Sequence, residues 1–157
     1  MRLIIIFLAA YMIGNINPAI ILGKIRGIDI RKEGSGNAGM TNVLRTFGKK
    51  AAAATFAGDF FKGVFSVVIC NAIMNSQRLA GIENIGFFRD LALYIAVAGA
   101  LFGHLKPVFF GFKGGKGISV AFGAMMAGTP PITAAAFGVW LVVVALTKYV
   151  SLASILA

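Results

Sequence analysis

Acidic side chains, histidine and cysteine are scarce in this 157-residue sequence. It contains five Asp and Glu residues, one histidine and one cysteine. The single cysteine, Cys70, excludes an internal disulfide and a cysteine-based metal cluster, and its apolar neighbours indicate a small buried hydrophobic residue. The acidic residues are scattered without the spacing of metal ligands. We therefore predict no bound metal and no other cofactor.

Charged residues of either sign are also few. They make up 13% of the sequence, against 59% hydrophobic residues and a mean hydropathy of +0.88. Since a soluble domain carries about 25% charged residues, this composition indicates an integral membrane protein in contact with the lipid bilayer. The net charge of +10 would suit nucleic acid, anionic lipid or an anionic substrate. Because the basic residues cluster in loops beside apolar segments, membrane topology and an anionic substrate explain them better than nucleic acid does.

Long apolar segments predict an all-α, polytopic helix bundle. A helix needs about twenty residues to cross the hydrocarbon core of a bilayer. We expect spans at residues 3–22, 51–74, 91–110 and 132–146, with a shorter, partial crossing at 118–127. A last apolar segment begins at residue 152 and stops at Ala157, too short for a span. The expected architecture is five spans plus the start of a sixth, in a single integral membrane domain over residues 1–157 that is truncated at its C-terminus.

The positions of the basic residues predict the orientation. Residues 23–50 carry seven of the fifteen basic side chains, and Lys113, Lys116 and Lys148 lie in later turns on the same side. By the positive-inside rule these segments face the cytoplasm, which places the N-terminus outside. Residues 75–90 then form a mixed-charge loop on the outer side.

The first basic loop has the composition of an anion-binding site. Its glycines alternate with small polar side chains, and glycine lets successive N–H groups converge on one anion, to which an Arg adds a bidentate contact. The predicted binding residues are Gly34, Ser35, Gly36, Asn37, Thr41, Asn42 and Arg45. Residues 34–39 match the dinucleotide pattern G-x-G-x-x-G, but no βαβ unit surrounds them, so a Rossmann site is not predicted. Ser35 has no base within its loop and is expected to donate to an oxyanion rather than act as a nucleophile.

The second basic loop, GFKGGKG at residues 111–117, resembles a phosphate loop in composition. It fails the Walker pattern because Gly117 stands where Ser or Thr should hold magnesium. We predict phosphate binding without ATPase activity, through Lys113, Gly114, Gly115, Lys116 and Gly117. The alternative is a flexible turn whose lysines only satisfy the positive-inside rule.

Three ionisable residues lie inside or next to predicted spans. Asp59 and Lys62 are three positions apart and share a helical face, which favours a structural ion pair over a part in lining the site. His104 is the only histidine. The acyltransferase signature His-x4-Asp would require an Asp where Phe109 stands, so we interpret His104 as a structural hydrogen-bonding residue.

The sequence resembles one family through four motifs that occur in order. They are GSGNAGMTNVLR at 34–45, GDFFKG at 58–63, GHLKPVFFGFKGGKG at 103–117 and KYVSLASI at 148–155. That family is the bacterial acyl-phosphate:glycerol-3-phosphate acyltransferase family, the PlsY family. The resemblance implies a seven-helix protein of the bacterial inner membrane with an outside N-terminus and its active site facing the cytoplasm. It implies transfer of a fatty acyl group from acyl phosphate to the 1-hydroxyl of glycerol 3-phosphate, giving lysophosphatidic acid and phosphate. We infer no obligatory protein partner for such an enzyme.

By position in these motifs, the resemblance also implies site residues. Ser35 and Arg45 match residues required for activity in the first motif. The glycine loop with Lys113 and Lys116 matches a motif implicated in glycerol 3-phosphate binding, and Ser151 matches a polar position near the bound substrate.

Two other classes remain open at this point. An anion transporter could use the same basic loops, but it should carry polar groups near the membrane midplane, where only Asp59 and Lys62 enter a span. A membrane scaffold that binds anionic lipid would need charge but not repeated glycines. The charge placement therefore favours an enzyme.

Overall fold

The computed structural model describes residues 1–75 and 85–157, and all of the regular structure in those ranges is helical. The α-helices are α1 (Arg2–Gly14), α2 (Pro18–Ile25), α3 (Met40–Phe47), α4 (Lys49–Asn75), α5 (Ile85–Leu105), α6 (Ile118–Gly128), α7 (Pro130–Thr147) and α8 (Val150–Leu156). Short 3₁₀ turns lie at Ile30–Lys32 and Val108–Phe110. The predicted all-α bundle is confirmed.

Within the described ranges, four segments are long and apolar enough to cross a membrane. They are Arg2–Ile25, Lys49–Asn75, Gly86–Phe110 and Pro130–Thr147. The predicted short crossing is the apolar helix α6, which has 11 residues. The apolar segment predicted to begin at residue 152 lies in α8, which starts two residues earlier at Val150. Most of the predicted outer loop, at residues 76–84, lies outside the described residues, and Asn75 and residues 85–90 are already helical.

The first span is interrupted where its polar residues stand. The side chain of Asn17 accepts the Ile20 N–H at 3.1 Å and so caps α2, while Pro18 occupies the first turn of that helix, where a missing N–H costs nothing. The Asn15 amide donates to the Tyr11 carbonyl at 2.7 Å. Ile16 lies between α1 and α2, so its carbonyl has no intrahelical partner and can accept a hydrogen bond from another helix.

Small residues bring the helices together. At Gly103 in α5 a Cβ atom would collide with the Tyr11 carbonyl of α1, and at Gly123 in α6 it would collide with the Phe60 carbonyl of α4. The facing Gly63 of α4 has equally little room against Val120. Close backbone approach at small residues is how helices associate in membranes without a hydrophobic driving force. These contacts fix α5 beside α1 and α6 beside α4.

The segment 23–50 is more structured than a loop. Helix α2 continues to Ile25, α3 occupies Met40–Phe47, and α4 begins directly afterwards at Lys49. The expectation of one continuous loop is therefore wrong at both ends, and the irregular part, at residues 26–39, is the first loop below. The second loop, 111–117, is irregular as predicted.

Candidate active site

A cavity of about 660 Å³ lies between the two loops and helices α4, α6, α7 and α8. Its polar lining comes mainly from the loops and the helix ends beside them, with two further hydroxyls on α7 and α8. Its apolar lining comes mostly from α6 and α7. The polar lining residues are Asn37, Thr41, Asp59, His104, Lys116, Ser119, Thr133 and Ser154; the large apolar ones include Phe56, Phe122, Met125, Ile132, Phe137 and Trp140. One cavity therefore offers both a polar surface and an apolar one.

Two helices begin at this cavity. Helix α3 starts after Gly39 and α6 starts after Gly117, and neither glycine supplies a side-chain cap. The first residues of both helices line the cavity, and the first N–H groups of a helix lack intrahelical partners and carry its positive dipole end. Such N-termini bind anions. With the ammonium of Lys116 on the same wall, the cavity is suited to phosphate.

The first loop is held in shape by Asn42. Its side-chain oxygen accepts the Ser35 N–H at 2.9 Å, and its amide donates to the carbonyls of Ile30 and Glu33 at 3.0 and 2.9 Å. Asn42 is buried, and it packs against Gly34, whose φ of +52° suits glycine. Asn42 and Gly34 thus shape the loop and are absent from the cavity wall, and the substrate contacts predicted for them stay a prediction.

Glycines of the second loop pack against the end of α5. The N–H groups of Gly114 and Gly115 donate to the carbonyls of Leu105 and His104, each at 3.2 Å. These N–H groups are therefore occupied within the protein, and the phosphate binding predicted for these two glycines stays a prediction. A Cβ atom at Gly115 would collide with the His104 ring and lie 2.5 Å from the Ala38 carbonyl. Only Lys116 and Gly117 of this loop line the cavity.

Arg31 joins the first loop to the 3₁₀ turn directly before the second loop. Its guanidinium makes a bidentate pair with Asp29, with N···O distances of 2.9 and 3.0 Å, and it also donates to the Phe110 carbonyl at 2.7 Å. The hydrogen bonds from Arg31 lower the pKa of the Asp29 carboxyl, so Asp29 stays ionised and keeps Arg31 in place. Arg31 is thus a structural link between the first loop and that turn.

Several predicted site residues stand at the surface beside the cavity. Ser35, Arg45, Lys113 and Ser151 are exposed and are absent from the cavity wall. Arg45 lies one helical turn after Thr41 and therefore on the same face of α3. Gly36, with φ of +71°, turns the chain next to Ser35. In α8 it is Ser154, not Ser151, that reaches the cavity, where its hydroxyl accepts the Trp140 N–H at 3.2 Å.

A buried charged cluster lies at the inner wall. Lys62 Nζ is 2.8 Å from an Asp59 carboxylate oxygen and 2.8 Å from His104 Nδ1, and it donates to the Ile16 carbonyl at 2.6 Å. The predicted Asp59–Lys62 pair is present. Asp59 and His104 also line the cavity, so the structural and site-lining interpretations both hold for this cluster. Among residues 1–75 and 85–157, no three His, Cys, Asp or Glu side chains are grouped to hold a metal ion.

Sequence reasoning missed Ser119, Trp140 and Ser154 as cavity residues. Ser119 follows Lys116 by three positions and lies in the first turn of α6. That spacing could have indicated that Ser119 lies on the same side as Lys116. The Trp140–Ser154 hydrogen bond joins α7 to α8, and no local sequence pattern predicts it.

Comparisons with known proteins identify the family. Residues 4–157 match the family model described as glycerol-3-phosphate acyltransferase. The glycerol-3-phosphate acyltransferase of Clostridioides difficile is 50% identical over 153 residues, which is 97% of this chain and 71% of that protein. That of Aquifex aeolicus is 38% identical over 157 residues, covering 100% of this chain and 76% of that protein.

Two solved structures have the same fold. They are crystal structures of PlsY (YgiH), an integral membrane glycerol 3-phosphate acyltransferase. The glycerol 3-phosphate form has a TM-score of 0.82 at 35% identity, over 99% of this chain and 72% of the other. The lysophosphatidic acid form has a TM-score of 0.78 at 34% identity, over 99% and 71%. This chain belongs to the PlsY family of integral membrane glycerol-3-phosphate acyltransferases.

Proposed function

We propose that the protein transfers a fatty acyl group from an acyl phosphate to the 1-hydroxyl of glycerol 3-phosphate and releases lysophosphatidic acid and phosphate. One observation carries this proposal: two uncapped helix N-termini and Lys116 meet in a cavity whose other walls are apolar. An acyl phosphate has a charged head and a long hydrocarbon tail. Glycerol 3-phosphate adds a second dianion, so a site for this reaction needs room for two phosphates and one chain.

The start of α3 and the start of α6 supply two sets of N–H donors for these phosphates. Lys116 adds a positive charge between them, and Arg45 extends the basic surface along the Thr41 face of α3. Bringing two anions together costs electrostatic repulsion, which fixed dipoles and cations offset. We assign glycerol 3-phosphate binding to the second loop with Lys113 and Lys116, and the acyl phosphate head to the first loop.

The apolar wall suits the acyl chain. Phe122, Phe137 and Trp140 form a continuous stack, with ring centroids 4.7 and 5.9 Å apart. Helix α7, which carries two of these rings, is a candidate membrane span. A chain lying against this stack keeps its carbonyl at the polar surface, where the phosphates are held.

The reaction needs no covalent enzyme intermediate, because acyl phosphate is already activated. The 1-hydroxyl oxygen forms a bond to the acyl carbonyl carbon, the bond from that carbon to the phosphate oxygen breaks, and inorganic phosphate leaves. The hydroxyl proton passes to a phosphate oxygen of a substrate. Ser35 and neighbouring N–H groups donate to the oxyanion or to the departing phosphate, and Arg45 neutralises charge.

We place the protein in the bacterial inner membrane with both loops in the cytoplasm. The basic residues of the two loops support this orientation through the positive-inside rule. Glycerol 3-phosphate is a charged, water-soluble metabolite, so a site open to the cytoplasm has direct access to it.

The test is phosphate release from a long-chain acyl phosphate by the purified protein in detergent, with and without glycerol 3-phosphate. We expect release that depends on glycerol 3-phosphate and yields lysophosphatidic acid, and we expect no lysophosphatidic acid when acyl coenzyme A replaces the acyl phosphate as donor. Turnover with acyl coenzyme A alone would contradict the proposed donor. Release of phosphate without a lysophosphatidic acid product would contradict the proposed acceptor.

A further inference from the structure

The turn between α5 and the second loop exposes large apolar side chains. Val108, Phe109 and Phe112 have exposed fractions of 44%, 64% and 55%. Phe110, which lies among them in sequence, faces the protein instead and packs against the buried cluster contributed by α2, α3, α4 and the first loop. The turn is therefore anchored to the protein through Phe110, while the apolar residues before and after it are exposed.

The backbone conformation of Phe112 is unfavourable for a phenylalanine. Its φ is +59°, directly after Gly111 with a φ of +67°. The left-handed region suits glycine and is tolerated by asparagine, whereas a bulky side chain there costs free energy. The conformation closes the turn, because the Phe112 N–H donates to the Pro107 carbonyl at 2.9 Å. A phenyl group that costs free energy and is more than half exposed is not explained by packing within the protein.

The position of this turn relative to the membrane follows from α5. The candidate span that contains α5 is Gly86–Phe110, so Phe109 lies at its end and Phe112 two residues beyond it. Exposed lysines, Lys106 and Lys113, stand on both sides of the turn. Apolar rings between lysines fit the boundary of a bilayer, where rings insert among acyl chains and ammonium groups pair with anionic headgroups. Because the turn continues a span, the bilayer rather than a protein partner is its occupant.

We propose that Phe109 and Phe112 insert into an anionic phospholipid bilayer, in the leaflet on the side of the two loops. Lys113 follows Phe112 directly and begins the part of the second loop to which we assign glycerol 3-phosphate. The next two residues, Gly114 and Gly115, donate to carbonyls at the end of α5. Lys113 therefore stands between a residue held by lipid and a pair held by the protein. The lipid contact is independent of the proposed function, whereas its effect on turnover rests on that function.

Tryptophan fluorescence measures the insertion without turnover. Trp140 is the only tryptophan in the chain, so Phe109→Trp and Phe112→Trp are made separately in a Trp140→Phe background. The proteins are reconstituted in vesicles of phosphatidylcholine and phosphatidylglycerol. We expect lipids brominated along their acyl chains to quench both tryptophans strongly, and aqueous acrylamide to quench both weakly.

Two further variants in the same background calibrate the quenching. Phe61→Trp replaces a residue that is 53% exposed within the candidate span of α4, and it reports contact with acyl chains. Lys32→Trp replaces an exposed residue of the first loop, and it reports contact with water. Acrylamide quenching of Phe112→Trp as strong as that of Lys32→Trp would overturn the proposal. Protection from both quenchers would also overturn it, because a protein surface would then cover the ring.

Substitutions at Phe112 separate the lipid contact from backbone strain. Asparagine suits the left-handed backbone but does not insert into lipid, whereas leucine inserts but is strained there. In vesicles we expect the KM for glycerol 3-phosphate to rise by about two- to tenfold in Phe112→Asn, the cost of ordering the Lys113 side chain on binding. The KM should be unchanged in Phe112→Leu. Equal KM values, or a higher KM in Phe112→Leu, would contradict the effect of the lipid contact on the loop.

The thermal midpoints of these two variants should follow the opposite order. In detergent we expect Phe112→Asn to be more stable than Phe112→Leu, because only asparagine relieves the backbone at this position. The reverse order would contradict the strain at Phe112 on which the proposal depends. An unmodified protein that transfers no acyl group, although brominated lipid quenches both tryptophans, would support the lipid contact and contradict the proposed function.

Discussion

Asn42 in α3 accepts the N–H of Ser35, seven residues earlier, at 2.9 Å. The same amide reaches two carbonyls of the first loop, so one buried side chain replaces the regular hydrogen bonding that this segment lacks. Backbone groups that lose such a partner away from water cost free energy. Asn37, by contrast, lies on the cavity wall and makes no comparable set of loop contacts.

We expect Asn42→Ala to lower both stability and activity. Two carbonyls and one N–H lose their partner, which costs at least about 2 kcal/mol, and Ser35 loses its position. Asn37→Ala should leave the thermal midpoint in place and raise the KM for glycerol 3-phosphate or acyl phosphate. Thermal unfolding in detergent and steady-state kinetics measure both effects. A stable, fully active Asn42→Ala protein would contradict the role given to this residue.

Gly115→Ala should disturb both loops at once. The added methyl group collides with the His104 ring and with the Ala38 carbonyl, so one of the two loops or the ring must move. A displacement of about 1 Å at a reacting centre lowers the rate by about a hundredfold. Gly138→Ala in α7 is the control, because its methyl group meets nothing within 4 Å. Equal activity in the two variants would contradict the expectation that activity depends on the relative position of the two loops.

Arg45→Ala should reduce kcat/KM without unfolding the protein. Arg45 is exposed, so its loss leaves no buried group unpaired, while a charge-assisted contact to phosphate contributes about 1.5–3 kcal/mol. The expected loss is about tenfold to a hundredfold. Arg45→Lys keeps the charge but not the planar pair of donors and should be intermediate. Unchanged kinetics in a folded Arg45→Ala protein would remove Arg45 from the site.

The proposed orientation can be tested with single cysteines. Cys70 is buried, with 1% exposure, so Cys70→Ala provides a background without thiols. In intact cells a membrane-impermeant maleimide should label a Phe87→Cys variant, at the outer end of α5, and should label Lys113→Cys only after permeabilisation. The reverse labelling pattern would contradict the proposed orientation.

The aromatic wall should set the choice of acyl chain. Ala136 lines the cavity beside Phe137, and Ala136→Phe would fill part of the volume that we assign to the chain. We expect kcat/KM to fall for long-chain acyl phosphates more than for short ones. Ala134→Phe, on an exposed part of the same helix, is the matched control. An equal effect on both chain lengths would place the chain elsewhere.

The spans could be predicted because hydropathy along the sequence is a local property. Within residues 3–22 the polar residues Asn15 and Asn17 and the following Pro18 are local breaks in the apolar pattern, and the helix breaks there. Helix α3 was not predicted, because it is short and follows a glycine-rich segment typical of a loop. Its apolar residues Met40, Val43, Leu44 and Phe47 nevertheless recur at the spacing of one helical face, and Val43 and Asn42 are buried.

The cavity could be predicted only in part. Lys116 and Thr41 lie in conspicuous motifs, and the structure places both on the wall. The contact of Lys62 with His104 joins α4 to α5, and no local spacing predicts which helices will be neighbours. For the same reason, the sequence could not show that the N–H groups of Gly114 and Gly115 donate to carbonyls at the end of α5.

The hydrogen bond from Arg31 to the Phe110 carbonyl connects residues 79 positions apart. A chain synthesised from its N-terminus presents Arg31 long before Phe110 exists. This hydrogen bond therefore cannot form while α1, α2 and α4 are being synthesised. The contact between the two loop regions is therefore completed only after the last third of the chain has begun to emerge.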